Sequence, residues 1–181
     1  MPMAAGFVDP LFSTGFVLSL LGIDRLARAL EAGCPESALT QYEADTLADL
    51  DATARLIGGA YRVLGKPDAF EALTMLYFAS ASFSETALRL GKPHLAPGFL
   101  LRSHPRLGPA VQSLLAEAGR QPTADWIARV SETVAPINIA GLCDQKKRHW
   151  YGVEASDLLA GASQLESTPE AIQAMLQKCG L

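Results

Sequence analysis

Several things are scarce or missing in this chain of 181 residues, and each absence removes a class of function. It has only three cysteines, Cys34, Cys143 and Cys179. They are odd in number and widely spaced, with no CxxC pair and no Cys/His cluster. That pattern indicates neither a disulfide framework nor a zinc site, and the expectation is no metal and a reducing, cytoplasmic setting. Lys and Arg are absent before the first apolar run, so no signal peptide is visible. That run, Gly15–Ile23, is too short to span a bilayer, and no membrane association is expected. Neither a GxGxxG phosphate turn nor a GxSxG nucleophile elbow occurs. No stretch alternates strand with helix signals.

What remains is apolar and weakly charged. Hydrophobic residues make up 49% and charged residues 19%, the composition of a globular chain rather than a disordered one. The net charge of −4 gives no general attraction to nucleic acid. The charge is uneven: residues 1–90 carry 6 Lys+Arg against 11 Asp+Glu, and residues 91–181 carry 9 against 8. The first half therefore reads as an acidic helical surface.

Pattern and punctuation predict a mainly α fold, a single helical region over 1–181, with a turn and helix in 1–32 and helices and loops in 33–181. Phe16, Val17, Leu20, Leu21, Leu26 and Leu30 place a helix over 14–32, buried on much of its circumference and stopped by Gly33. Ser37 caps a second helix running to about Leu64, and Asp68 caps a third through Leu90. Each ends in "LGKP", read as two helix stops with the same Gly-then-Pro chemistry. Residues 94–109 read as loop. Helices follow at about 109–118 and 124–134, Asn138–Cys143 reads as extended, and short helices at 155–160 and 169–179 close the chain.

The stretch "AAGFVDPLFSTGF" (4–16) concentrates the residues that shape a ligand turn. Gly6 permits a sharp bend or close approach, and Asp9-Pro10 favours turn geometry. Ser13, Thr14 and Gly15 lie where a helix begins. Backbone N–H groups there have no intrahelical acceptor, and the helix dipole favours an anion or an electronegative ring edge.

In its letters this stretch resembles the last flavin-contacting motif of flavin-dependent halogenases and their FAD-dependent oxidoreductase relatives. Leu76–Pro109 and Ile137–Gly152 are similar to the C-terminal region of halogenase-like members. The resemblance implies a helical C-terminal region of an FAD-dependent halogenase- or monooxygenase-type flavoprotein, without the nucleotide-binding sheet that precedes the motif in the family. It implies flavin contacts at Gly6, Asp9, Pro10, Ser13, Thr14 and Gly15, and a halide on the N–H groups of Thr14 and Gly15. The implied partners are an N-terminal FAD-binding domain, a halide and a small aromatic substrate. Alone, this chain would bind FAD weakly or not at all and be inactive. Tryptophan halogenases carry Glu where this chain has Phe12, which counts against tryptophan as substrate. The alternative is an autonomous helical module for packing or partner binding, without catalysis.

The remaining polar residues carry weaker signals. His94, His104 and His149 stand in loops and read as surface or capping groups, each able to shuttle a proton. Asp144–Tyr151, "DQKKRHWY", reads as a solvated turn anchored by Trp150 and Tyr151, and Cys143 as structural. Ser80, Ser82 and Ser84 permit close helix packing, and Tyr77, Phe78 and Phe83 read as core. Phe7, Val8, Phe12 and Phe16 are expected to form an exposed apolar face that drives self-association.

Overall fold

A computed structural model describes residues 2–118, 120, 124–142 and 154–180. It is mainly helical, and the described residues contain no strand. The helices are α1 (Pro2–Ala5), α2 (Thr14–Glu31), α3 (Glu36–Val63), α4 (Pro67–Arg89), α5 (Leu107–Glu117), α6 (Ala124–Val134), α7 (Ala155–Ala160) and α8 (Pro169–Lys178). Two compact units are present, Met1–Arg62 and Val63–Leu181. No described helix is long and apolar enough to cross a membrane.

In the first unit a polar contact bridges α2 and α3. Asp49 is buried, and its Oδ2 lies 2.6 Å from Arg25 Nη2 across the pair. Thr46 and Thr53, on the same face of α3, are also buried. The Thr53 hydroxyl donates to the Asp49 carbonyl at 2.7 Å. The buried positions of α2 are Thr14, Leu18, Gly22 and Ala29. This corrects the reading of α2 as a helix buried around much of its girth. Phe16, Leu20, Ile23 and Leu30 lie on its outer side, 71%, 49%, 47% and 60% exposed. The expected patch of four residues also changes: Phe7 and Phe16 are exposed, Val8 is buried and Phe12 is half-buried.

The second unit is built on α4. Small residues line its buried side, with Ala69, Ala72, Ala79 and Ala87 between Leu73, Leu76 and Phe83. Small side chains let neighbouring backbones approach closely, and α6 packs along this helix. Trp126 on α6 is buried, and its Nε1 donates to the Leu114 carbonyl in the last turn of α5 at 3.1 Å. Arg129 Nη1 reaches Glu117 Oε1 at 3.1 Å, and Nη2 meets the other carboxylate oxygen. Ile172, Met175 and Leu176 of α8 complete the core. Tyr77 and Phe83 are buried as expected, but Phe78 is 46% exposed. It sits edge-on against Tyr77, with ring centroids 5.2 Å apart.

Helix ends depart from the sequence signals in several places: Ser37 and Asp68 do not cap, since α3 already begins at Glu36 and the N-cap of α4 is Lys66. The two "LGKP" stops are not equivalent. Gly91 takes a left-handed φ of 71° and the Lys92 N–H returns to the Ala87 carbonyl at 2.9 Å, whereas Gly65 takes no such conformation. Their prolines share the role of starting the next helical segment, Pro67 in α4 and Pro93 in a 3₁₀ turn. Within 94–106 the chain forms 3₁₀ turns at Pro93–Leu95 and Phe99–Leu101. Helix α5 starts at Leu107, ahead of the expected Pro109, because His104 Nδ1 accepts from the Leu107 N–H at 3.1 Å and the Arg106 N–H at 3.3 Å. Pro109 sits in the first turn, where its missing N–H is not needed. Asn138–Leu142 is not extended: the Asn138 side chain donates to the Leu142 carbonyl and accepts from its N–H, closing a tight turn.

Removing Arg25 leaves the Asp49 carboxylate buried without its cation. Arg25→Met is expected to destabilise the chain by about 3 kcal/mol, with Arg25→Met/Asp49→Leu recovering most of the loss. Urea denaturation of the three proteins checks this, and a double variant as unstable as the single one would refute the assignment.

The Arg129 hydrogen bond and charge lower the pKa of Glu117 below the ordinary carboxylate range. A carboxylate with a depressed folded-state pKa adds stability that is complete above its unfolded value and fades as pH falls through the folded one. Glu117→Gln should therefore destabilise at pH 7, with the gap to the native chain closing under acid. A pH-independent gap would show that packing, not charge, is responsible.

Candidate functional site

The segment that precedes α2 is held by local hydrogen bonds. Asp9 Oδ1 accepts from the Leu11 N–H at 2.9 Å, closing an Asx turn around Pro10. The Ser13 N–H donates to the Pro10 carbonyl at 2.8 Å. Asp9 also receives the Tyr61 hydroxyl from the last turns of α3. That hydrogen bond, followed by desolvation and the carboxylate charge, raises the Tyr61 pKa above the ordinary phenol value. The turn is thereby tied to α3.

Its backbone is unusual. Phe12 and Ser13 take φ values of 63° and 55°, both left-handed. Two consecutive non-glycine residues there cost roughly 1–2 kcal/mol each, because Cβ crowds the following carbonyl. The bend that Gly6 permits is not a left-handed one, since Gly6 is not among the left-handed glycines. A Cβ on Gly6 would meet Leu50 Cδ1 at 3.5 Å, an ordinary contact.

Ser13 forms the N-cap of α2 without capping it through its side chain. The start of an 18-residue helix is therefore uncapped by a side chain. Thr14, the first helical residue, is fully buried, and its Oγ1 has no hydrogen-bond partner among the described residues. Tyr42 OH and Thr46 Oγ1 share that condition, but only Thr14 of the three sits at a helix start. A buried hydroxyl without a partner costs about 1–3 kcal/mol. An anion, or an electronegative ring edge, at this helix start would accept both from the backbone N–H groups and from that hydroxyl.

The structure thus brings Asp9, Pro10, Ser13, Thr14 and Gly15 into one short turn, with Gly6 on the approach to it. Sequence reasoning missed Tyr61, which lies 52 residues from Asp9 and carries no local motif. Other candidates serve elsewhere. His104 is a helix cap, and His94 Nε2 meets Glu166 Oε2 at 3.1 Å on the surface. Cys34 and Cys179 are exposed, and Cys179 Sγ lies 3.1 Å from Arg89 Nη1. Ser80 is buried in α4, and the Ser84 hydroxyl is buried without a partner. Cys143, His149 and the whole of Asp144–Tyr151 lie outside the described residues. No group of three His, Cys, Asp or Glu residues gathers in a metal-binding arrangement among the described residues. A shallow depression of about 430 Å³, lined by Leu159, Pro169, Glu170, Gln173, Ala174 and Gln177, shares no residue with the turn.

Because Ser13 is left-handed while Ser19 lies inside α2, glycine should act oppositely at the two positions. Ser13→Gly is expected to raise stability by about 0.5 kcal/mol, and Ser19→Gly to lower it by about 1 kcal/mol. Losses at both positions in chemical denaturation would show that residue 13 is not strained. Comparison with protein-family models, with curated proteins and with solved structures finds no match to this chain.

Proposed function

We propose that this chain is the C-terminal part of an FAD-dependent oxidoreductase of halogenase-like or monooxygenase-like type, and that residues 9–15 form its flavin- and halide-facing turn. The observation that carries the reading is the start of α2. A helix without side-chain cap, preceded by a strained turn, opens on a buried threonine hydroxyl that lacks a partner. Strain of this kind persists where surrounding structure holds it, and it clusters at ligand sites.

The residues present fit a small anion or the polar edge of a flavin ring. They do not fit the pyrophosphate of FAD, since no GxGxxG turn occurs in the 181 residues. In this reading an N-terminal FAD-binding domain supplies that turn, and the bound flavin supplies the redox chemistry. Within this chain, the Thr14 and Gly15 N–H groups hold the halide and the Thr14 hydroxyl adds a third donor. Asp9, locked by Tyr61 and the Leu11 N–H, fixes the turn. Phe12 offers an apolar surface where a carboxylate would otherwise stand, which suits a neutral aromatic substrate better than one needing charge stabilisation. The exposed outer face of α2 favours a second reading, a helical partner-binding module without catalysis.

Amide NMR of the 181-residue chain separates the two. Titration with bromide should shift the Thr14, Gly15 and Phe16 amides more than the rest, saturating only at millimolar concentrations, while FAD binds weakly or not at all. Thr14→Ser should keep the response, Thr14→Val should weaken it, and Gly15→Val should abolish it. Uniform shifts across the chain would leave the turn as an ordinary helix start. Purification of this chain with stoichiometric FAD would refute its dependence on a further domain.

A further inference from the structure

The outer side of α2 repeats at spacings of four, three, four and three residues: Phe16, Leu20, Ile23, Ala27 and Leu30. All five are exposed. This is the spacing of a seam between two helices, where apolar residues at alternating intervals of three and four face a partner. Together with Val17 the seam offers on the order of 450 Å² of apolar surface, within the ~300–600 Å² of the largest patches on monomers, which are often functional. It is about half of the ~800 Å² that each partner contributes to a standard interface, the scale of a small, reversible one.

From this spacing and area we infer that the outer face of α2 is an interface with a second copy of this chain. Two α2 helices pair antiparallel about a two-fold axis passing between Leu20 and Ile23. The sequence of the seam is complementary to itself in that register. Phe16 falls opposite Ala27 of the partner subunit, and Leu20 opposite Ile23 of the partner subunit, so large meets small at both ends of the paired stretch and two aliphatics meet in the middle, while Leu30 runs past it to the level of Ser13. A parallel pair would set Phe16 against Phe16 and Ala27 against Ala27, crowded at one level and hollow at another. Charge agrees. In the antiparallel register Asp24 falls beside Val17 of the partner subunit, not beside a second carboxylate. Its own charge is already met by Arg28, 2.9 Å away on the same helix. Antiparallel pairing also sets the helix dipoles head to tail. The interface is isologous, so it closes at two copies.

Sedimentation equilibrium of the 181-residue chain over a wide concentration range tests this. The expected result is a reversible monomer–dimer equilibrium, weakened about tenfold or more by Leu20→Glu. Phe16→Ala and Ala27→Phe should each weaken it. The double variant Phe16→Ala/Ala27→Phe restores the large-to-small match and should return the dissociation constant to within about threefold of the native value. These positions are on the exposed side of α2, and unchanged helical circular dichroism confirms that each variant folds. A monomer at every concentration, or a dimer indifferent to Leu20→Glu, overturns the interface. Additive losses in the double variant overturn the antiparallel register. Residues 9–15 are native in all these proteins, so the bromide titration of the Leu20→Glu monomer judges the halide reading separately.

Discussion

The ion pair between Arg25 and Asp49 joins the two long helices of the first unit. Asp49 is almost wholly buried, and removing one partner of such a pair costs about 3–5 kcal/mol, so Arg25 is held toward α3. Once Arg25 faces α3, the 3.6-residue period places Thr14, Leu18, Gly22 and Ala29 on the same side. Everything a half-turn away, from Phe16 to Leu30, is turned outward. Arg25 and Thr14 thus share the inner side of α2, and the apolar seam lies on the opposite side.

Those two sides belong to different kinds of function. The helix start is the proposed place for a small electron-rich group. The seam is the proposed place for another helix. The turn before α2 is held by contacts wholly inside its unit: the Asx turn of Asp9, the Pro10–Ser13 hydrogen bond and the Tyr61 hydroxyl.

Much of the helical order was legible in the sequence, because apolar periodicity and terminal Gly and Pro signals coincide for α2, α3, α4 and α6. The buried face of α2 was not. Apolar content alone would bury Phe16 and Leu20, and only a carboxylate 24 residues beyond Arg25 reverses that choice. The start of α5 was shifted because a histidine acts as its cap, a role that composition does not announce. The Asn138–Leu142 turn was hidden by a side chain that replaces backbone pairing. At the candidate site, the turn residues were visible as a motif. The left-handed pair was not, since neither Phe nor Ser advertises a positive φ. Tyr61 could be found only once α3 had placed it beside Asp9.

The alanine positions of α4 have a different consequence. Ala69, Ala79 and Ala87 are at most 2% exposed, in a helix that packs along α6. A methyl group leaves almost nothing to truncate, so these sites are insensitive to the cavity-forming changes that damage most cores. They are vulnerable in the other direction: each added methylene forces backbones apart, at about 1–3 kcal/mol per enlarged residue. Leu73 and Leu76, on the same face, can exchange with other aliphatics of similar volume. Mutational tolerance along this one helix is thus one-sided and alternates with position. Drift over generations would confine its small positions to Gly, Ala and Ser while its large ones wander, an asymmetry written by packing alone.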